Sequence, residues 1–138
     1  MALEEVLRNA DVVSVHLRLS DQSRNLLNGT RLQLMKKSAY LVNTARRAVV
    51  DETALIKMLK EKAIAGAALD VFGEEPLPPD SALLDLDNIV LTPHVGWPTD
   101  RGYEEFAEHA VENILGYMDG KVFRAINPEA MEKKKVAH

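Results

Sequence analysis

The 138 residues are 46% hydrophobic and 28% charged, a composition typical of one folded domain and not of a disordered segment. The net charge of −4 argues against nucleic acid or an anionic membrane as the main partner. Because there is no cysteine, a disulfide framework, a thiolate zinc site and a cysteine nucleophile are excluded, and no metal site is predicted. No apolar run approaches the length of a membrane span, so a cytoplasmic domain is expected.

Four short runs, nearly continuous in apolar residues, predict strands that are buried on both faces. They span residues 12–17, 39–44, 66–72 and 88–92. Helical patterns separate these runs, and such alternation predicts a parallel sheet with flanking helices. The predicted fold class is therefore α/β, with about four parallel strands.

The helical patterns carry recognisable start and stop signals. Residues 1–10 are a charged helical segment, Thr30 opens a capping-box pattern, and Asp51 is a good N-cap for a third helix. A long amphipathic helix is predicted near residues 100–119. The predicted domain covers residues 1–127, and a charged, poorly ordered tail follows over 128–138.

Residues able to perform proton transfer follow three successive strands. Arg46 comes after the second strand, the Glu74-Glu75 pair after the third, and His94 after the fourth. Because the carboxyl ends of parallel strands meet at one edge of a sheet, these side chains are expected to converge there. A histidine, a carboxylate and an arginine together predict an acid–base site with an anion clamp.

Each of these residues also has a purely structural explanation. A single histidine after a strand is more often structural than catalytic, and an arginine before a helix can pair with Asp51 or Glu52. Glu74-Glu75-Pro76 alone is an ordinary acidic turn. Only the joint occurrence at successive strand ends points to a function.

Four sequence blocks resemble the D-isomer-specific 2-hydroxyacid dehydrogenases, in the family's order and at close to its spacing. The blocks are Val15-His16-Leu17, Leu41-Val42-Asn43-Thr44-Ala45-Arg46, Gly66-Ala67-Ala68-Leu69-Asp70-Val71-Phe72 with Glu75-Pro76-Leu77, and Leu91-Thr92-Pro93-His94-Val95-Gly96. The resemblance covers about residues 11–127. It implies the second half of a Rossmann-like, doubly wound parallel sheet, that is, a partial dinucleotide-binding domain.

The resemblance also implies a reaction, hydride transfer between NAD or NADP and a small 2-keto or 2-hydroxy acid. Arg46 would bind the substrate carboxylate, Glu75 would pair with His94 and raise its pKa, and His94 would donate the proton to the carbonyl oxygen. The nicotinamide end of the cofactor would be held by Thr44, Ala45, Arg46, Asp70, His94 and Gly96. The parent enzyme of such a domain is expected to be a homodimer.

The sequence departs from the family pattern in several places. Arg18 stands where the family often has proline, Arg47 where it usually has glycine, and Trp97 where a small residue is common. Arg47 therefore requires a turn at negative φ, and Trp97 either narrows the substrate pocket or covers it.

No G-x-G-x-x-G occurs in the 138 residues, and no strand-end acid matches the usual ribose anchor. The chain is therefore expected to be a fragment that is inactive by itself. A non-enzymatic, dinucleotide-sensing corepressor of the same fold family is the alternative, since such a module can retain the same residues. The specific 2-hydroxy acid and the choice between NAD and NADP stay open.

Overall fold

Four parallel strands form one sheet in the order β1-β2-β3-β4, which confirms the predicted α/β class. The strands are β1 (Val12–Val15), β2 (Tyr40–Asn43), β3 (Gly66–Leu69) and β4 (Ile89–Leu91). Neighbouring strands are also consecutive in the chain. Because they run parallel, every crossover between them returns the chain to the end of the sheet where the previous strand began. All four carboxyl ends therefore lie along one edge.

This computed structural model describes residues 1–129. By contacts between Cα atoms the chain divides into two units, Met1–Trp97 and a second that begins at Pro98. The sheet belongs to the first unit. The expected boundary at residue 127 stays a prediction, and the tail predicted over 128–138 lies outside the described residues from 130 onward.

Three α-helices accompany the sheet in the first unit: α1 (Leu3–Asn9), α2 (Gly29–Leu32) and α3 (Glu52–Lys60). A short 3-10 helix, Arg47–Val49, precedes α3. Asp51 caps α3 as predicted, since its carboxylate accepts a hydrogen bond from the amide of Ala54 at 3.0 Å. The predicted cap of α2 is wrong.

The side chain that caps α2 is Asn28, whose Oδ1 accepts from the amide of Arg31 at 3.0 Å. Asparagine is as good an N-cap as serine, and Asn28 lies two residues before the threonine of the capping-box pattern. The helix therefore starts earlier than the Thr30 pattern predicts.

One face of the sheet carries the hydrophobic core. Odd-numbered strand residues such as Val15, Leu41 and Leu69 are almost fully buried. They pack with apolar residues of the helices, including Leu7, Leu32, Leu55 and Leu59. Even-numbered residues point to the opposite face, where the exposed fraction is 58% for Val12 and 63% for Val90. Within the first unit the helices therefore cover one face of the sheet, and the prediction that the strands are buried on both faces is wrong there.

The second unit contains the long helix that the apolar periodicity predicts. It is α4 (Asp100–Met118), and Thr99 caps it by accepting a hydrogen bond from the amide of Gly102. The chain leaves the helix at Gly120, whose φ is +71°, a value that suits glycine. In residues 1–129 no helix is both long and apolar enough to span a membrane.

Candidate active site

A buried asparagine shapes the turn at the end of β2. The exposed fraction of Asn43 is 2%. Its Oδ1 accepts a hydrogen bond from the amide of Ala45, and its Nδ2 donates to the carbonyl of Arg46, both at 3.1 Å. Because one rigid amide group satisfies two backbone groups, the turn that contains Thr44, Ala45 and Arg46 has a defined conformation.

A buried carboxylate follows β3. Asp70 is 2% exposed, and its own amide donates to the carbonyl of Asn43 at 3.0 Å, which continues the pairing of β2 with β3. Its carboxylate accepts hydrogen bonds from the hydroxyl of Thr92 and from the amides of Val95 and Gly96. Asp70 thus joins the end of β3 to the segment after β4.

The hydrogen bonds to Asp70 also set its charge. Burial raises the pKa of the Asp70 carboxyl, but hydrogen bonds from Thr92, Val95 and Gly96 and the nearby charge of His94 lower it more. The net result is a pKa below the ordinary value. Asp70 is therefore a carboxylate at neutral pH.

His94 and Glu75 form a pair at this edge. Nδ1 of His94 lies 2.8 Å from Oε2 of Glu75, and the two side chains are 38% and 39% exposed. The other carboxylate oxygen of Glu75 accepts from the amide of Phe72 at 2.9 Å. Both oxygens of Glu75 are thus oriented, one by its own loop and the other by the imidazole.

The pair shifts the titration of Glu75. The hydrogen bond from His94 lowers the pKa of the Glu75 carboxyl, and the hydrogen bond from the Phe72 amide lowers it further. Asp70 acts in the opposite direction, because its negative charge raises the pKa of Glu75. The carboxylate form prevails, so Glu75 is an acceptor that can orient the imidazole.

The two arginines after β2 differ in their contacts. Nη1 of Arg46 donates to the carbonyl of Ala45 at 2.7 Å, and Arg46 is exposed. Arg47 instead forms an ion pair with Glu52 at 3.3 Å. It begins the 3-10 helix and does not have a positive φ, as the departure from the glycine pattern requires. The structural explanation by helix pairing therefore applies to Arg47. In residues 1–129 the structure gives Arg46 no contact with His94 or Glu75, so its role at the site stays a prediction.

Several of the predicted site residues are brought together by the sheet edge. A Cβ atom added to Gly96 would lie 2.9 Å from Oδ2 of Asp70 and 3.7 Å from Cβ of Thr44. The segments after β2, β3 and β4 are therefore adjacent. Glu75 contacts His94, whereas Glu74 is exposed and does not appear among the partners of His94 in residues 1–129.

An open cavity of about 350 Å³ lies beside the His94–Glu75 pair. Most of its lining is apolar: Phe72, Pro76, Leu77, Leu84, Leu91 and Pro93. His94, Glu75 and Thr92 supply the polar part of the lining, so the imidazole–carboxylate pair faces an open, mainly apolar cavity.

The sequence interpretation missed two residues that build the site. Asn43 and Thr92 belong to the sequence blocks that carry the resemblance but are not among the predicted site residues, yet both make hydrogen bonds that hold the strand ends. A polar residue that ends an otherwise apolar strand is the signal that could have identified Asn43. No signal in the sequence marks the positive φ of His94, which is +56°.

Comparison with known proteins identifies the domain. Residues 1–96 match the family described as D-isomer specific 2-hydroxyacid dehydrogenase, NAD binding domain. A glyoxylate reductase of Thermofilum pendens is 46% identical over 134 residues, which are 97% of this chain and 38% of the relative.

Solved structures have the same fold. An acyclic imino acid reductase in complex with NADPH and D-Arg has a TM-score of 0.79 at 32% identity, over 91% of this chain and 40% of that one. A D-isomer specific 2-hydroxyacid dehydrogenase of Lactobacillus delbrueckii, in its NAD-complexed form, has a TM-score of 0.81 at 34% identity, over 91% and 42%. The chain thus spans about two-fifths of the length of these relatives.

Proposed function

This chain belongs to the D-isomer specific 2-hydroxyacid dehydrogenase family, as an NAD-binding domain, and on that premise we propose that it carries the proton-transfer half of a 2-keto acid reductase. The reaction is hydride transfer between NAD(P)H and a 2-keto or 2-hydroxy acid. The observation that carries the proposal is the 2.8 Å contact between His94 and Glu75 at the carboxyl edge of the sheet.

His94 is the proton donor in this proposal. Nδ1 of the imidazole is hydrogen-bonded to Glu75, so Nε2 is the nitrogen that would face the substrate carbonyl. As the carbonyl oxygen gains negative charge, His94 transfers its proton to that oxygen, and in the reverse direction it takes the proton back. Glu75 stabilises the protonated imidazole and fixes the orientation of the ring.

Arg46 is the proposed anchor for the substrate carboxylate. Its side chain is exposed, and Asn43 holds its backbone through a hydrogen bond to the carbonyl of Arg46. The position from which the guanidinium extends is therefore defined. A guanidinium offers two parallel N–H donors to a carboxylate, a match that lysine cannot reproduce.

The residues at this edge fit the nicotinamide end of a dinucleotide. Thr44 and Gly96 are exposed, adjacent to each other and next to the half-buried Ala45. We assign Thr44, Ala45, Arg46, Asp70, His94 and Gly96 to hold that end. When bound, the cofactor supplies the hydride for the carbonyl carbon.

A chimeric enzyme tests the proposal. In the Thermofilum pendens glyoxylate reductase, the aligned 134 residues are replaced by those of this chain. NADH oxidation is followed with glyoxylate and with hydroxypyruvate. We expect turnover by the chimera and a loss of about 10²–10⁴-fold in kcat for His94→Gln. His109→Gln, at an exposed position of α4, is the matched control and should retain full activity.

The 138-residue chain alone is expected to show no turnover. Its sequence holds no G-x-G-x-x-G, the turn on which a pyrophosphate rests. Positioning of cofactor and substrate contributes about 7–11 kcal/mol to such reactions. Turnover by the isolated chain within about tenfold of the chimera would contradict this expectation. An inactive chimera with a folded domain, or an unaffected His94→Gln variant, would contradict the proposed function itself.

A further inference from the structure

The Asp70 carboxylate accepts three hydrogen bonds from one loop that follows β4, called the histidine loop below. The histidine loop is residues 92–96. Its Val95 amide donates to Oδ1 of Asp70 at 2.9 Å, its Gly96 amide donates to Oδ2 at 2.8 Å, and its Thr92 hydroxyl donates to Oδ1. Three of roughly four acceptor positions of this carboxylate are thus taken by one five-residue loop.

The loop contains a conformation that needs support. His94 has φ of +56°, in the left-handed region that side chains other than glycine rarely adopt. Such residues persist only where neighbouring contacts fix them. The hydroxyl of Thr92 and the amides of Val95 and Gly96 flank His94 on both sides, and all three are bound to the same carboxylate.

The loop also fits closely on Asp70. A Cβ atom at Gly96 would approach Oδ2 of Asp70 to 2.9 Å, closer than real Cβ atoms approach an oxygen. The amide of Gly96 reaches the carboxylate because no side chain is present there. Hydrogen bonds to a buried charge are about twice as strong as neutral ones, so this contact resists loop movement.

We propose that Asp70 is a positioning residue for the reaction: it clamps the histidine loop at both sides of His94 and thereby holds the imidazole against Glu75. This role rests on the proposed function, in which His94 is the proton donor. It is separate from a direct contact of Asp70 with the nicotinamide end, because it acts through the backbone of the loop.

The pKa of Glu75 provides the test. In the 138-residue chain, Asp70→Asn removes the charge and turns one acceptor oxygen into a donor that opposes a loop amide. Loss of the Asp70 charge alone would lower the pKa of Glu75, since that charge raises it. Loss of the His94 contact would raise that pKa, because the contact is the main reason it is low. In Asp70→Asn, loss of the charge alone therefore predicts a lower pKa of Glu75, whereas displacement of His94 predicts a higher one.

The measurement is the titration of the Glu75 carboxyl carbon by ¹³C NMR. We expect an upward change in Asp70→Asn, towards the value found in His94→Ala, which serves as the benchmark. An unchanged or lowered pKa in folded Asp70→Asn would overturn the proposal. If that variant does not fold, Thr92→Val decides, because it removes only the hydroxyl bond at one side of the loop.

Thr92→Ser keeps the hydroxyl and is the conservative control for Thr92→Val. The serine variant should retain the wild-type titration of Glu75, while the valine variant should show a smaller upward change than Asp70→Asn. If the pKa of Glu75 were unchanged in Thr92→Val, the proposal that Asp70 positions His94 through this loop would be overturned.

Kinetics of the chimera separate positioning from cofactor contact. A misplaced imidazole lowers kcat, by about 10–100-fold for a displacement near 1 Å. We expect this loss in Asp70→Asn, where the KM for NADH also rises because an assigned cofactor contact is lost, and a smaller loss in Thr92→Val, where that KM stays nearly unchanged. A raised KM for NADH at constant kcat would instead show that Asp70 acts only as a cofactor contact, which overturns the proposal. An inactive wild-type chimera would count against the proposed function, while the Glu75 titration would still decide the role of Asp70.

Discussion

Replacing Asn43 by alanine tests whether one buried amide holds the turn that carries Arg46. The substitution leaves the amide of Ala45 without its acceptor, which costs about 1–3 kcal/mol. The carbonyl of Arg46 also loses a donor, but Arg46 is exposed, so water replaces it and the loss is about 0.5–1 kcal/mol. We therefore expect the free energy of unfolding to fall by about 1.5–4 kcal/mol.

Urea unfolding of the 138-residue chain measures this effect. With a slope of about 1.5–2 kcal/mol per molar urea, the midpoint should fall by about 1–3 M. Asn9→Ala is the matched control. Asn9 is exposed and makes one hydrogen bond to the carbonyl of Glu5, so its loss should cost about 0.5 kcal/mol or less.

Asn43→Asp probes the two hydrogen bonds separately. The carboxylate still accepts from the amide of Ala45, but its second oxygen, on a residue that is 2% exposed, faces the carbonyl of Arg46. This repulsion raises the pKa of the new carboxyl in the folded state, so the stability of the variant should recover as the pH falls. If Asn43→Ala matched Asn9→Ala within about 0.5 kcal/mol, the proposed dependence of the turn on Asn43 would be refuted.

Three further outcomes are expected. The folded-state pKa of Glu75 lies below its ordinary value of 4.5, so its pairing with His94 stabilises the fold above that pH. This stabilisation is lost as the pH falls through the lowered pKa. Acid unfolding of Glu75→Gln, followed by circular dichroism, should therefore lack the part of the pH dependence that Glu75 contributes. Leu41→Ala should cost about 2–5 kcal/mol in urea unfolding, while Leu84→Ala, at a residue that is 52% exposed, should cost much less. Arg46→Lys in the chimera should raise the KM for glyoxylate more than it lowers kcat, because lysine lacks the planar pair of donors.

The sheet was predictable because its strands and crossovers have strong local signals. Apolar runs marked all four strands, and Asp51 identified the start of α3. The α2 cap was wrong because Asn28 and Thr30 are both capable caps, and the helix begins at the earlier one. Which of two capable residues becomes the N-cap depends on the direction from which the preceding segment reaches the helix, and the local sequence does not determine that direction.

The contact between Glu75 and His94 followed from the family resemblance combined with the parallel topology. Composition and spacing left Glu74 and Glu75 equivalent, since both follow β3 in the same acidic turn. The difference arises because the amide of Phe72 binds Oε1 of Glu75, which directs the other oxygen to the imidazole. This selection depends on the shape of one loop, and the catalytic roles of the residues stay predictions.

The residues proposed for proton transfer lie on short segments after neighbouring strands of the sheet. Asn43 binds the turn after β2 and, through its carbonyl, the amide of Asp70; Asp70 in turn binds the loop that carries His94. Each link is a hydrogen bond between adjacent strand ends, so the geometry of the His94–Glu75 pair is determined by residues 43–96 of one sheet edge. Dinucleotide affinity, by contrast, depends on a glycine-rich turn that no segment of this sequence provides. The orientation of the imidazole and the affinity for cofactor therefore have separate structural origins, and Thr92→Val, which leaves the residues assigned to the cofactor in place, should lower kcat without a matching change in the KM for NADH.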